Sequence, residues 1–123
     1  MVQVLVKPVK KSLDTPDEVR TLSLGRIEVV DLDDVSIARV TLEPGWKWSK
    51  DVKPVVQTES CQVPHIQYVL SGRLRIRMDG GAEFELKPGD AVVVPPGHDA
   101  EVVGDEPFVA IDFTGMKGYG KKP

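Results

Sequence analysis

Four side chains in this 123-residue chain combine donor types that transition metals accept: Glu59, Cys61, His65 and His98. Thiolate and imidazole suit zinc, iron, nickel or copper, whereas a carboxylate alone holds few of these tightly. Glu59, Cys61 and His65 share parity, so a regular strand would turn all three to one face, continued by Gln67 and Val69. Pro64 interrupts that register. His98 shares parity with Ala100 and is the other histidine of the chain, so it is the donor available from across the fold. The competing readings are plain: a lone cysteine is commonly a small buried hydrophobe, and a histidine after Pro95-Pro96-Gly97 suits a solvent-facing turn. A nucleophilic Cys61–His65 pair is disfavoured, because four residues of extended chain span about 13 Å at ~3.3 Å per residue. Trp46 and Trp48 are either flat apolar walls for an organic ligand or packing over an end of the fold or at a subunit interface.

Charge and composition narrow the partners. A net charge of -3 and a pI near 5.4 argue against nucleic acid, whose binders are usually basic. Lys7, Lys10 and Lys11, with Lys121 and Lys122, read as solvated termini. The apolar run Val4–Val6 is too short for the core of a secretory signal. No stretch approaches the ~20 apolar residues needed to span a bilayer. One cysteine makes no internal disulfide, so a cytoplasmic setting is expected.

The elements that must position these donors are short strands broken by turn residues. The expected strands are 26–31, 36–42, 66–70, 73–78, 83–86, 91–94, 100–103 and 108–113. One turn of helix is expected over Asp14–Arg20, where Asp14 and Thr15 offer caps and Pro16 suits the first turn. The chain reads as a single domain, with a core over about residues 24–114, an N-terminal arm 1–23 and a C-terminal tail 115–123, of which Lys117–Pro123 is expected to be loosely held.

The hairpin Arg73–Lys87 carries its own register. Arg73, Arg75 and Arg77 alternate with Leu74, Ile76 and Met78, while Glu83 and Glu85 alternate with Phe84 and Leu86. A three-residue loop, Asp79-Gly80-Gly81, sets Arg77 opposite Glu83, Arg75 opposite Glu85 and Ile76 opposite Phe84. Leu74, Ile76, Phe84 and Leu86 are then expected inside. The arginine stripe is a paired, solvated face rather than an anion site.

From Leu42 to Phe113 the chain resembles the cupin superfamily in its small single-barrel form. Gly89, Pro95 and Gly97 match the second cupin motif, in which Ala100 stands at the histidine position. Counting back from Gly72, His65 falls where the first motif has its glutamate, and Glu59 and Cys61 fall at its two histidine positions. None of the four family ligands is kept in kind. The resemblance implies an all-β double-stranded helix, a jelly-roll barrel with a ligand pocket in its interior.

On this reading the protein is a small-molecule-binding or sensing cupin, with Gln67, Trp46, Trp48 and Ala100 lining the pocket and a divalent metal as an optional aid. The gap at Ala100 favours a pocket without metal; the other outcome is that His98 swings in to complete a site with Cys61 and His65. The alternatives are a metal-dependent enzyme of the oxygenase or isomerase type, which the family contains, and a structural dimerisation module. A homodimer is expected, because the outer face at Ile66, Tyr68 and Leu70 is apolar and must be covered by the N-terminal segment or a partner subunit.

Overall fold

The structure is a computed structural model that describes residues 7–116 and 119–121. Its strands are β1 (Glu18–Leu22), β2 (Gly25–Asp31), β3 (Ser36–Leu42), β4 (His65–Ser71), β5 (Arg73–Met78), β6 (Glu83–Leu86), β7 (Ala91–Val94), β8 (His98–Val103) and β9 (Phe108–Asp112). They form two antiparallel sheets, of order β1-β2-β3-β9-β4-β7 and β6-β5-β8. The sheets face each other as a jelly-roll barrel around a core that includes Ile27, Val40, Trp48, Val69, Ile76, Val94 and Phe108. Period-2 burial explains the arrangement: in β4, His65, Gln67 and Val69 are buried while Ile66, Tyr68 and Leu70 are exposed.

Residues 14–20 do not form the expected helical turn. Glu18–Leu22 is a strand in full register with β2. The Asp17 carboxylate, instead of capping a helix, accepts the Asp31 backbone N–H at 2.8 Å. The β-branched Val19 and Thr21 fit that ladder, so sheet pairing overrides the local helix signals. The N-terminal arm is thus part of the barrel from Glu18 onward.

Residues 117, 118, 122 and 123 of the expected loose tail lie outside the described residues. Beyond β9, Met116 and Tyr119 are buried among the core residues. Two short helices, α1 (Trp48–Asp51) and α2 (Lys53–Val56), were not foreseen in the stretch after Gly45. Asp51 organises this corner, accepting the Lys47 N–H at 2.9 Å and the Ser23 hydroxyl at 2.8 Å. The Trp46 carbonyl accepts the Val102 N–H at 2.9 Å, which docks both tryptophans against β8.

The β5–β6 hairpin has the expected register, with Arg75 opposite Glu85, Ile76 opposite Phe84 and Arg77 opposite Glu83. Leu74, Ile76 and Leu86 are buried, but Phe84 is 37% exposed, because β6 is the edge of its sheet and nothing beyond it closes over the ring. Arg73 reaches Glu85 on the diagonal at 3.0 Å, while Arg75 reaches Glu101, directly opposite it on β8, at 3.2 Å. Gly72 turns the chain into this hairpin with φ of 76°, and a Cβ there would lie 2.2 Å from the Pro107 carbonyl oxygen. Only glycine fits that approach.

Candidate metal centre

Cys61, His65 and His98 are buried, and one donor atom from each lies within 4.8 Å of the others. His65 opens β4, and His98 opens β8 on the opposite sheet. Cys61 lies outside both strands, in a bridge with His98. Its N–H donates to the His98 carbonyl at 2.7 Å, and its own carbonyl accepts the Gly97 N–H at 2.7 Å. Ser60 anchors the same stretch by donating its hydroxyl to Asp79 at 2.7 Å.

The extended-chain separation of Cys61 and His65 is therefore wrong. Their Sγ and Nε2 atoms are 3.8 Å apart. The residues between them, ending in Pro64, are not a strand, so the chain bends and brings the side chains together. Glu59 takes no part. Its side chain is 99% exposed and faces Lys53 at 3.4 Å, because the polar loop before Cys61 runs outside the barrel.

The two imidazoles are held by groups that can only accept. The Pro95 carbonyl lies 2.9 Å from His98 Nδ1, and the Asp112 carboxylate lies 3.2 Å from His65 Nδ1. Each Nδ1 must carry a hydrogen, which leaves Nε2 of the neutral ring as the lone-pair donor. The rings meet edge to face, with centroids 5.1 Å apart. Gly97, at φ of 94°, permits the turn that brings the Pro95 carbonyl back under His98.

Asp112 is the residue that sequence reading missed. It is fully buried at the end of β9. Its Oδ2 also accepts from Gln67 Nε2 at 2.9 Å, and its Oδ1 accepts the Thr114 N–H at 2.7 Å and the Thr114 hydroxyl. Burial raises its carboxyl pKa, but the hydrogen bonds from His65, Thr114 and Gln67 outweigh this and hold it below the ordinary value. The available signal was an acid at even spacing within an otherwise apolar strand, Phe108-Val109-Ala110-Ile111-Asp112.

Burial pushes the Cys61 thiol up to about 11, with the Val63 carbonyl and nearby Asp99 as smaller influences. Burial likewise lowers the His98 pKa, so that ring is neutral at pH 7. The contacts Cys61–His65–Asp112 have the order of a nucleophilic triad, yet a thiol this basic stays protonated near neutrality.

His65 and His98 border an interior cavity of ≈ 30 Å³. Trp46, Trp48, Gln67 and Ala100 line it together with both histidines, Met116 and Tyr119. Among the described residues no lysine or arginine is in its walls. Trp46 Nε1 is buried without a hydrogen-bond partner among the described residues.

Comparison with known proteins places this architecture. Residues 56–114, which contain Cys61, His65, His98 and Asp112, match the family described as Cupin domain. That segment carries a cupin domain. The chain superimposes on a Rhizobium leguminosarum protein of unknown function with a TM-score of 0.64, at 22% identity, covering 89% of this chain and 97% of that one. An Acidithiobacillus ferrooxidans protein of unknown function (DUF1255) is 26% identical, with a TM-score of 0.55 and coverage of 78% and 85%. A point mutant of Bacillus subtilis oxalate decarboxylase is 27% identical, with a TM-score of 0.58. That match covers 84% of this chain but only 29% of the decarboxylase. Among curated proteins no match is found. No helix among the described residues is long and apolar enough to cross a membrane.

Proposed function

We propose that this cupin binds one transition-metal ion through Cys61, His65 and His98, and that the ion holds a small donor molecule in the barrel cavity. The observation that carries the reading is the convergence of three buried donors within 4.8 Å beside a cavity. Two ligands of a tetrahedral ion, at ~2.1 Å for nitrogen and ~2.3 Å for sulfur, sit about 3.6 Å apart. The Cys61–His65 separation of 3.8 Å is within a few tenths of that spacing. The hydrogen bonds at both Nδ1 atoms support the same reading, since metal-binding histidines are usually oriented through their other nitrogen.

A bound ion would supply Lewis acidity and an open coordination position, the arrangement common to catalytic and ligand-sensing sites. Thiolate with two imidazoles suits zinc, iron, nickel or copper. The cavity admits about two water-sized groups at ~10–15 Å³ each. The partner is therefore a very small molecule, and with no lysine or arginine among the described walls an anionic ligand would rely on the metal for its countercharge. Likeness to part of an oxalate decarboxylase supports an enzymatic version of this site, but no lysine or arginine among the described walls offers a dicarboxylate a second anchor. A binding or sensing role fits the small cavity better.

The test is metal content and cobalt(II) titration of the purified protein. One ion per chain is expected, with a thiolate-to-cobalt absorption band. Cys61→Ser, His65→Ala and His98→Ala should each abolish stoichiometric binding while Glu59→Ala leaves it intact. Absence of both the ion and the band from the folded wild-type protein would refute the proposal.

A further inference from the structure

The C-terminal turn enters the barrel mouth, although its sequence is polar and glycine-rich. Tyr119 packs against His65 with ring centroids 5.7 Å apart, and Tyr119 and Met116 both line the cavity beside the histidines. The tyrosine is buried. Two of the backbone carbonyls there, at Met116 and Tyr119, are bound by one side chain from the far edge of the larger sheet. Arg20 Nη1 donates to the Met116 carbonyl at 2.6 Å and to the Tyr119 carbonyl at 3.0 Å. Its Nε is engaged by Glu18 at 2.7 Å, so the guanidinium is fixed in plane before it reaches the turn. Met116 accepts a left-handed backbone, φ 54°, which a non-glycine residue adopts only where surrounding contacts impose it.

We propose that Arg20 is a positioning residue that seats Tyr119 and Met116 in the barrel mouth, so that Tyr119 sets the size of molecule that reaches Cys61 and His65. The proposal concerns access and stands whether or not a metal binds. It accounts for three features at once: a buried tyrosine on a polar segment, two carbonyls collected by one guanidinium, and a cavity of only ≈ 30 Å³ inside a barrel. Without the turn, the wall beside His65 is open to larger ligands.

Cys61 is the one cysteine of the chain and buried beside His65, so its reaction with thiol reagents reports access directly. The measurement compares metal-free wild type, Arg20→Ala, Tyr119→Ala and Arg39→Ala with iodoacetamide and with a bulky aromatic disulfide. Arg39→Ala is the control, because it loses ion pairs to Glu28 and Asp14 away from the cavity. In Arg20→Ala and Tyr119→Ala the bulky-to-small rate ratio should rise roughly tenfold or more, as local opening replaces a closed mouth. In Arg39→Ala it should stay at the wild-type value. An unchanged ratio in both mouth variants, or an equal rise in Arg39→Ala, would overturn the proposal, since access would then follow global stability.

Discussion

Asp112 Oδ2 lies 3.2 Å from His65 Nδ1 and 2.9 Å from Gln67 Nε2, so one buried carboxylate orients two residues of β4. The imidazole is thereby fixed in rotation and tautomer before any ligand arrives. Asp112→Asn removes the charge and offers an amide that can present the wrong atom to Nδ1. Metal affinity should fall about 10–100-fold. Competition with a chromophoric chelator measures this, and affinity equal to wild type would show that Asp112 serves the fold alone.

Stability in acid should depend on Glu28. This buried carboxylate accepts from Arg39 Nε at 2.9 Å and Nη2 at 3.2 Å, and the Arg39 hydrogen bond holds its pKa below the ordinary 4.5 against the opposing effect of burial. A depressed folded-state pKa contributes stability that is present above about pH 4.5 and lost as pH falls through the folded value. Glu28→Gln should cost about 1.5–3 kcal/mol at pH 7. The difference should shrink below pH 4.5, as wild type loses the same interaction. Urea unfolding across this range checks the sign; a constant difference at every pH would contradict it.

Two glycines of the hairpin region should respond oppositely to alanine. At Gly72 the new Cβ would sit 2.2 Å from a carbonyl oxygen, in a left-handed conformation. The conformation alone costs about 1–2 kcal/mol, and the clash adds to it. At Gly80 nothing lies within 4 Å and φ is not positive, so Gly80→Ala should change stability by less than about 0.5 kcal/mol. Thermal unfolding of the two variants provides the comparison.

The outer face of β4, β7 and β9 exposes Ile66 at 49%, Tyr68 at 44%, Val93 at 70% and Phe113 at 46%. Lacking charge, such a patch is complementary to its own copy, as a two-fold interface requires. The homodimer expected from sequence is retained as a proposal on this surface. Light scattering should give twice the chain mass for wild type and the chain mass for Val93→Lys. A monomeric wild type at working concentration would remove the second copy from consideration.

The sequence by itself determined most of the strands, because alternation and turn chemistry are local, while the barrel was read from the cupin resemblance. The arginine–glutamate alternation with a three-residue loop was enough to set the β5–β6 register, and β3, β5, β6 and β7 begin and end where their turn residues predict. The tertiary structure decided the site. Parity described Glu59, Cys61 and His65 as one face, yet the bend before His65 folds Cys61 onto it, while the loop before Cys61 leaves Glu59 in solvent. Asp112, 47 residues from His65 in the chain, joins it only because β4 pairs with β9. Tyr119 enters the mouth through backbone carbonyls, which carry no sequence signal of their own. Periodicity reports which way a residue points from its own strand; which residues meet depends on how the sheets close, and closure is a property of the whole chain.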